Sequence, residues 1–171
     1  NRAGKHTLVS DPWPLYEEVA GVPLMVYLPE GPRAVYSDAL IQPPDLRPTI
    51  LDLFELKPTG EEHGKSFFPL LAGDDQPLRE YAFSSGYIDE ERGQLKTRVA
   101  VNSADGWSLH FHRDYEPELY YLPEDPAQER NLIEGNEDQA QRLHAAFAEC
   151  LREVGASEAV QAICADWRKA R

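Results

Sequence analysis

The hydrophobic and polar positions divide the chain into two textures. In the first, Val22-Pro23-Leu24-Met25-Val26-Tyr27-Leu28 is a short, mostly apolar run closed by Pro29-Glu30-Gly31-Pro32, a pattern that predicts a strand buried on both faces, as in parallel sheets covered by helices. Asp45 is placed to cap a helix whose first turn tolerates Pro48. Leu46, Ile50, Leu53 and Phe54 then fall on one side, and Lys57-Pro58-Thr59-Gly60 closes the segment.

From Glu80 onward the runs shorten and begin to alternate. Tyr81 to Ser84, Leu95 to Asn102, Trp107 to His112 and Glu118 to Leu122 read as strands, and Ser103-Ala104-Asp105-Gly106 supplies a hairpin turn. In Trp107-Ser108-Leu109-His110-Phe111-His112 large apolar groups alternate with polar ones, which predicts one inward face and one wet face. The inward face needs a partner layer. Ala140, Leu143, Phe147, Leu151 and Val154 recur at helical spacing to provide it, with Gly155 placed to stop that helix. Ser157 is placed to cap a second helix carrying Val160, Ile163, Cys164 and Trp167.

Composition narrows the partners. Thirty acidic residues against 17 basic ones give a net charge of −13, and a polyanion approaching this surface meets repulsion, so nucleic acid is not an expected partner. No apolar run approaches the roughly 20 residues a membrane span requires, so no membrane partner is expected either. Cys150 and Cys164 lie in the helical C-terminal stretch and read as packed thiols, which points to a reducing, cytoplasmic compartment.

The residues that invite a chemical reading do not complete one. Gly60-Glu61-Glu62-His63-Gly64-Lys65-Ser66 has three residues between its glycines where a phosphate loop has four, and no apolar strand feeds it. A surface turn is the expected structure. His110 and His112 share one side of a strand, but no Cys or carboxylate nearby completes a ligand set, so they read as histidines on the wet face. Lys5, His6 and His63 have no identifiable catalytic partners. Periodicity and spacing alone reach an α+β domain.

Four blocks in order carry a resemblance. Gly4-Lys5 is followed by Pro14-Leu15-Tyr16-Glu17-Glu18-Val19 and Val22-Pro23-Leu24. The second block is Asp45-Leu46-Arg47-Pro48-Thr49-Ile50-Leu51-Asp52-Leu53. Gly64-Lys65-Ser66-Phe67 precedes Leu70-Leu71-Ala72-Gly73, and Glu118-Leu119-Tyr120-Tyr121-Leu122 precedes Asp125-Pro126, Glu129 and Asn131-Leu132. The last of these resembles a Glu-Leu-Tyr-Asp-Leu then Asp-Pro-x-Glu-x-x-Asn-Leu signature. In this order the blocks resemble the sulfatase family of the alkaline phosphatase superfamily.

The resemblance implies an α/β to α+β fold class. Residues 1–79 would be the C-terminal end of the catalytic α/β domain and residues 80–171 an antiparallel-sheet and helix subdomain. It implies that Lys5 contacts sulfate oxygens, where an ammonium stabilises developing negative charge. It also implies a parent reaction, hydrolysis of a sulfate ester by a formylglycine nucleophile with Ca²⁺ or Mg²⁺. The nucleophile pattern, Cys/Ser-x-Pro-x-Arg, has no match: Ser10-Asp11-Pro12-Trp13-Pro14 lacks the arginine. The acidic metal ligands of the family also precede Asn1. The chain alone is therefore expected to be inactive, with an N-terminal catalytic part and a sulfate-ester small molecule as partners. Alternatives are a phosphonate or phosphate ester hydrolase of the same superfamily and a non-catalytic binding or assembly domain.

Overall fold

A computed structural model describes residues 15–29, 31, 36–60, 62–74, 76–96 and 98–168. The chain divides into two compact units, one running up to Val22 and resuming at Phe83, the other Pro23–Ala82.

The larger unit is built on a four-stranded sheet in the order β1 (Tyr81–Ser84), β4 (Val99–Ser103), β5 (Trp107–His112) and β6 (Tyr115–Tyr121). The last three form an antiparallel meander, with Val101 opposite Leu109 and Leu109 opposite Leu119. Between β1 and β4 the chain makes a separate ribbon of β2 (Ile88–Asp89) and β3 (Gln94–Leu95), so the expected strand from Leu95 to Asn102 is two elements. The hairpin turn lies where Asp-Gly places it: Gly106 takes φ 93° and its N–H donates to the Ser103 carbonyl at 2.9 Å.

One face of the meander presents Val99, Val101, Leu109, Phe111 and Leu119, all fully buried. Helix α4 (Glu137–Glu153) covers it with Ala140, Leu143 and Phe147. Phe111 meets Phe147 edge-on at 5.7 Å, and Phe83 reaches Phe147 at 5.8 Å. Burial of such side chains stabilises by about 1.5–3 kcal/mol each. The helix stops at Gly155, whose φ of 68° suits glycine, while Ala156 N–H closes back on the Leu151 carbonyl at 2.8 Å. Helix α5 (Glu158–Ile163) begins at Ser157, whose hydroxyl accepts from Val160 N–H at 3.2 Å. Cys164 and Trp167 are buried beyond it, and Cys150 and Cys164 are not joined in a disulfide.

The smaller unit contains α2 (Leu46–Leu53) and α3 (Phe68–Leu71) and no strand among its described residues up to Glu80. Two sequence expectations are corrected in it. The run Val22 to Leu28 is not a buried strand: it forms no ladder with any described residue, and Met25 is 92% exposed. A strand requires a neighbour to accept its backbone groups, and none of the described residues plays that part. The apolar side of α2 is exposed for the same reason, with Ile50 and Phe54 more than half accessible. The helix also ends before Lys57-Pro58: Glu55 takes φ 55° and Leu56 N–H returns to the Leu51 carbonyl at 2.8 Å.

What α2 does bury is polar. Asp45 stands at the head of the helix, but its carboxylate caps no N–H of α2. Fully buried, it accepts instead from Gln42 N–H at 2.7 Å and Lys65 N–H at 2.7 Å and pairs with Arg79. Arg79 also donates to Gln42 Oε1 at 2.8 Å. Thr49 donates to the Asp45 carbonyl at 2.6 Å and accepts from Phe67 N–H at 2.9 Å. The Asp45 and Gly64 motif blocks are thus tied by a buried carboxylate and a hydroxyl. The turn from Gly60 to Ser66 is structural, with the Lys65 side chain exposed. Gly64 is required by close approach, because a Cβ there would run into the Pro44 carbonyl. Gly64→Ala is accordingly expected to lower the urea midpoint by an amount equivalent to about 1–3 kcal/mol; an unchanged midpoint would show that the backbone yields freely there.

Candidate functional site

Lys5, the one residue expected to touch sulfate, lies outside the described residues, as does the segment from Ser10 to Pro14. The structure does describe what the following block does. Tyr16 sits just before the short helix α1 (Glu17–Ala20) and is 2% exposed, held against the second face of the meander.

That second face is polar and buried, which corrects the expectation of a wet face. Ser108, His110 and Tyr120 share it and are 1% or less exposed, and His112 is 3% exposed. Tyr16 and Gln128 cover it. The Tyr16 ring lies 5.1 Å from that of His110, and its hydroxyl donates to Glu118 Oε2, which also accepts from Tyr120 at 2.7 Å. The other carboxylate oxygen of Glu118 meets Arg98 at 3.2 Å. Burial, followed by the bond to Glu118, pushes the Tyr16 hydroxyl up to about 12, and burial together with the Glu118 charge raises Tyr120 further. Both phenols are therefore protonated donors throughout the neutral range.

Gln128 pins the arrangement. Its Oε1 accepts from Glu17 N–H at 2.7 Å, which fixes the amide so that Nε2 donates to His110 Nε2 at 2.9 Å. His110 therefore carries its proton on Nδ1, a buried group with no partner among the described residues. To make these bonds Gln128 adopts φ 52°, an uncommon conformation outside glycine. His112 is satisfied differently: Nδ1 accepts from Asp114 N–H at 3.1 Å and Nε2 donates to the Leu95 carbonyl at 3.0 Å.

The loop carrying Gln128 is tied down by its own motif residues. The Asp125 carboxylate accepts from Glu129 N–H at 2.8 Å and Arg130 N–H at 2.9 Å. Asn131 accepts from Leu119 N–H at 2.9 Å and donates to the Pro117 carbonyl at 3.1 Å, prolonging the edge of β6. Counting from Asp125-Pro126, the Glu of the family pattern falls on Gln128 and not on Glu129, which is exposed. Sequence reasoning passed over Gln128, and that register was the signal that would have found it.

Burial is the first cause holding His110 down at about 4, with the Arg98 charge acting in the same sense and Glu118 opposing. The imidazole is neutral in the fold, whereas an unfolded chain protonates it near 6.5. As pH falls from about 6.5 to about 4 the unfolded state holds more protons, so this residue's contribution to stability declines through that window. The expected slope approaches about 1.4 kcal/mol per pH unit from this group, measured by denaturant unfolding at several pH values. His110→Gln is expected to flatten the window. A slope identical in wild type and variant would place the titration elsewhere.

Among the described residues no three His, Cys, Asp or Glu side chains are grouped to hold a metal ion. No described helix is long and apolar enough to cross a membrane.

The described residues thus form an α+β arrangement, a meander packed on α4 with its polar face clamped to the Tyr-Glu-Glu segment and to the loop at Asp125-Pro126. Residues 4–156 match the family described as N-sulphoglucosamine sulphohydrolase, C-terminal, and the chain belongs to that family. Solved structures share the fold. A Bacteroides thetaiotaomicron protein, described under the metabolism of multiple glycosaminoglycans, is 22% identical with a TM-score of 0.58, over 77% of this chain and 31% of that one. The structure of BT4656 in complex with its substrate D-glucosamine-2-N,6-O-disulfate is 20% identical with a TM-score of 0.53, over 67% of this chain and 24% of that one. The chain thus spans less than a third of the length of either. No curated protein matches it.

Proposed function

We propose that this chain is the C-terminal portion of a sulfatase that removes sulfate from a sulfated amino sugar. The observation that carries the reading is the meeting of the motif blocks: Tyr16 and Glu17 from the first are held by Glu118 and Gln128 from the last, within a family match covering residues 4–156. The substrate class is supported by the family description and by the glucosamine disulfate bound to a protein of the same fold.

In this reading the metal and nucleophile belong to the upstream catalytic part. When bound, Ca²⁺ or Mg²⁺ would polarise the sulfate and formylglycine would supply the attacking oxygen. The contribution of this portion in this reading is the Lys5 ammonium, which would stabilise charge developing on a sulfate oxygen. The exposed run Leu24 to Tyr27 and the apolar side of α2 are surfaces for the upstream part to cover.

The purified 171-residue chain is expected to hydrolyse neither glucosamine N-sulfate, 4-nitrophenyl sulfate nor a phenyl phosphonate monoester, with or without Ca²⁺. The whole protein encoded by the gene is expected to release sulfate from glucosamine N-sulfate. Turnover by the short chain would show that it contains a nucleophile. A whole protein that turns over the phosphonate ester and neither sulfated compound would move it to the phosphonate hydrolases.

A further inference from the structure

We infer that Gln128 and His110 form an acid-released latch on α1, in which a proton on His110 Nε2 makes the Gln128 amide turn over and drop the Glu17 N–H. Three groups stand in line, and the polarity of the line is fixed at one end. The Glu17 main-chain N–H can only donate, so the amide atom 2.7 Å away is Gln128 Oε1. The other end of the amide, Nε2, then faces His110 Nε2 at 2.9 Å. An amide nitrogen offers hydrogens and no acceptor, so this junction holds only while His110 Nε2 is bare. Once that nitrogen is protonated, two donors meet.

The surroundings leave a turned amide as the way out. Ser108 Oγ lies 3.0 Å from His110 Nε2 and can accept the new proton, but the Gln128 Nε2 hydrogens still face it. The second ring nitrogen, Nδ1, is buried and has no partner among the described residues, so the imidazolium finds no compensation there. Turning the amide puts Oε1 on His110 and Nε2 against the Glu17 N–H. The two neighbours lie at opposite ends of one amide that has one oxygen, so satisfying the histidine releases the main chain. Gln128 also holds φ 52°, a conformation kept only where the surrounding structure demands it, and release of the amide removes part of that demand.

The groups packed around His110 set how much acid is needed. Tyr16, ahead of α1, and Tyr120 on β6 lie against the ring at 5.1 and 5.8 Å, and both stay protonated. Glu118 on β6 favours the cation, but it is engaged by both phenols and by Arg98, whose charge disfavours it. Burial outweighs these and keeps the imidazole neutral down to about 4, whereas a ring that water reaches titrates near 6.5. Tyr16 keeps its bond to Glu118 when the amide turns, so the latch frees the main chain at the first turn of α1 and leaves the meander closed.

The test is hydrogen exchange on the whole protein, read by mass spectrometry with fragmentation that resolves single amides and corrected for intrinsic rates. Protection of the Glu17 N–H is expected to fall by up to about 10-fold per pH unit between about 6.5 and about 4. Low urea is expected to leave Glu17 exchange unmoved while quickening that of the buried Leu143 in α4, the mark of a local opening. His110→Gln, which cannot protonate, is expected to remove the pH dependence at Glu17. Gln128→Glu offers one carboxylate oxygen to the Glu17 N–H and the other to an imidazolium. In that variant His110 is expected to protonate at higher pH, read from ¹⁵N shifts of labelled histidine, with Glu17 still protected. Glu17 exchange that follows Leu143 in urea, or that keeps its pH dependence in His110→Gln, would overturn the latch. So would loss of Glu17 protection in Gln128→Glu as acid is added. Should Gln128→Glu not fold, the urea comparison and His110→Gln decide the matter.

Discussion

Glu118→Ala is expected to destabilise the larger unit by about 3–5 kcal/mol, the loss typical when one partner of a buried ion pair is removed. The Glu118 and Arg98 side chains are 12% and 13% exposed, so water does little to replace the interaction. Alanine takes from Arg98 its carboxylate and from the Tyr16 and Tyr120 hydroxyls a shared acceptor. Those phenols do not compensate by ionising, because burial, the largest cause of their raised values, remains when the carboxylate is gone. Glu118→Gln, which keeps an acceptor oxygen, should lose less. The double change Arg98→Met with Glu118→Leu should lose much less than the sum of its parts, since apolar groups in place of a buried pair leave no orphaned charge. The measurement is urea unfolding followed by tyrosine and tryptophan fluorescence. A loss under about 1 kcal/mol for Glu118→Ala would mean that the pair behaves as an exposed one.

Lys5→Ala in the whole enzyme is expected to lower turnover by about 10²–10³, the usual cost of removing one preorganised group from a developing anion. The effect should fall on kcat, because the contact strengthens as charge moves onto the sulfate oxygens. Lys65→Ala is the comparison. Its backbone N–H is bound to Asp45 while its side chain is exposed, so truncating the side chain leaves the structural bond intact. Steady-state kinetics on both variants decide the matter. Near-wild-type turnover in Lys5→Ala with a large loss in Lys65→Ala would place the sulfate contact in the Gly64 block.

The elements legible in the sequence were those whose signals are local. Helix α4 followed from Ala140, Leu143 and Phe147 at helical spacing, and Gly155 and Ser157 mark its end and the next beginning. Strand β5 followed from alternation and the turn into it from Asp105-Gly106, whereas β6, read as the short run Glu118 to Leu122, in fact begins at Tyr115. The errors share a cause. Alternation at His110 and His112 says that one face is polar, but whether water reaches it depends on Tyr16 and Gln128, which lie far away in sequence. An apolar run such as Val22 to Leu28 says what would be favourable to bury, not what is present to bury it. Gln128 carries no compositional signal; only its register against Asp125-Pro126 distinguishes it from the exposed Glu129. For Lys5 the sequence supplied a role by resemblance, and the structure describes the anchor that follows it at Tyr16.

The bond from Tyr16 to Glu118 closes a loop across 102 residues, and this sets an order of events in the life of the chain. During synthesis the Tyr16 segment emerges long before the strand that receives it, so the meander must exist before the clamp can shut. Closing so long a loop costs entropy that grows only slowly with length, about 0.6 kcal/mol for each doubling, but the contact is of the non-local kind that forms late. A late contact is absent from the transition state for folding. Weakening it should therefore leave the refolding rate nearly untouched and speed unfolding instead, so the clamp governs how long the native molecule lasts more than how quickly it is made.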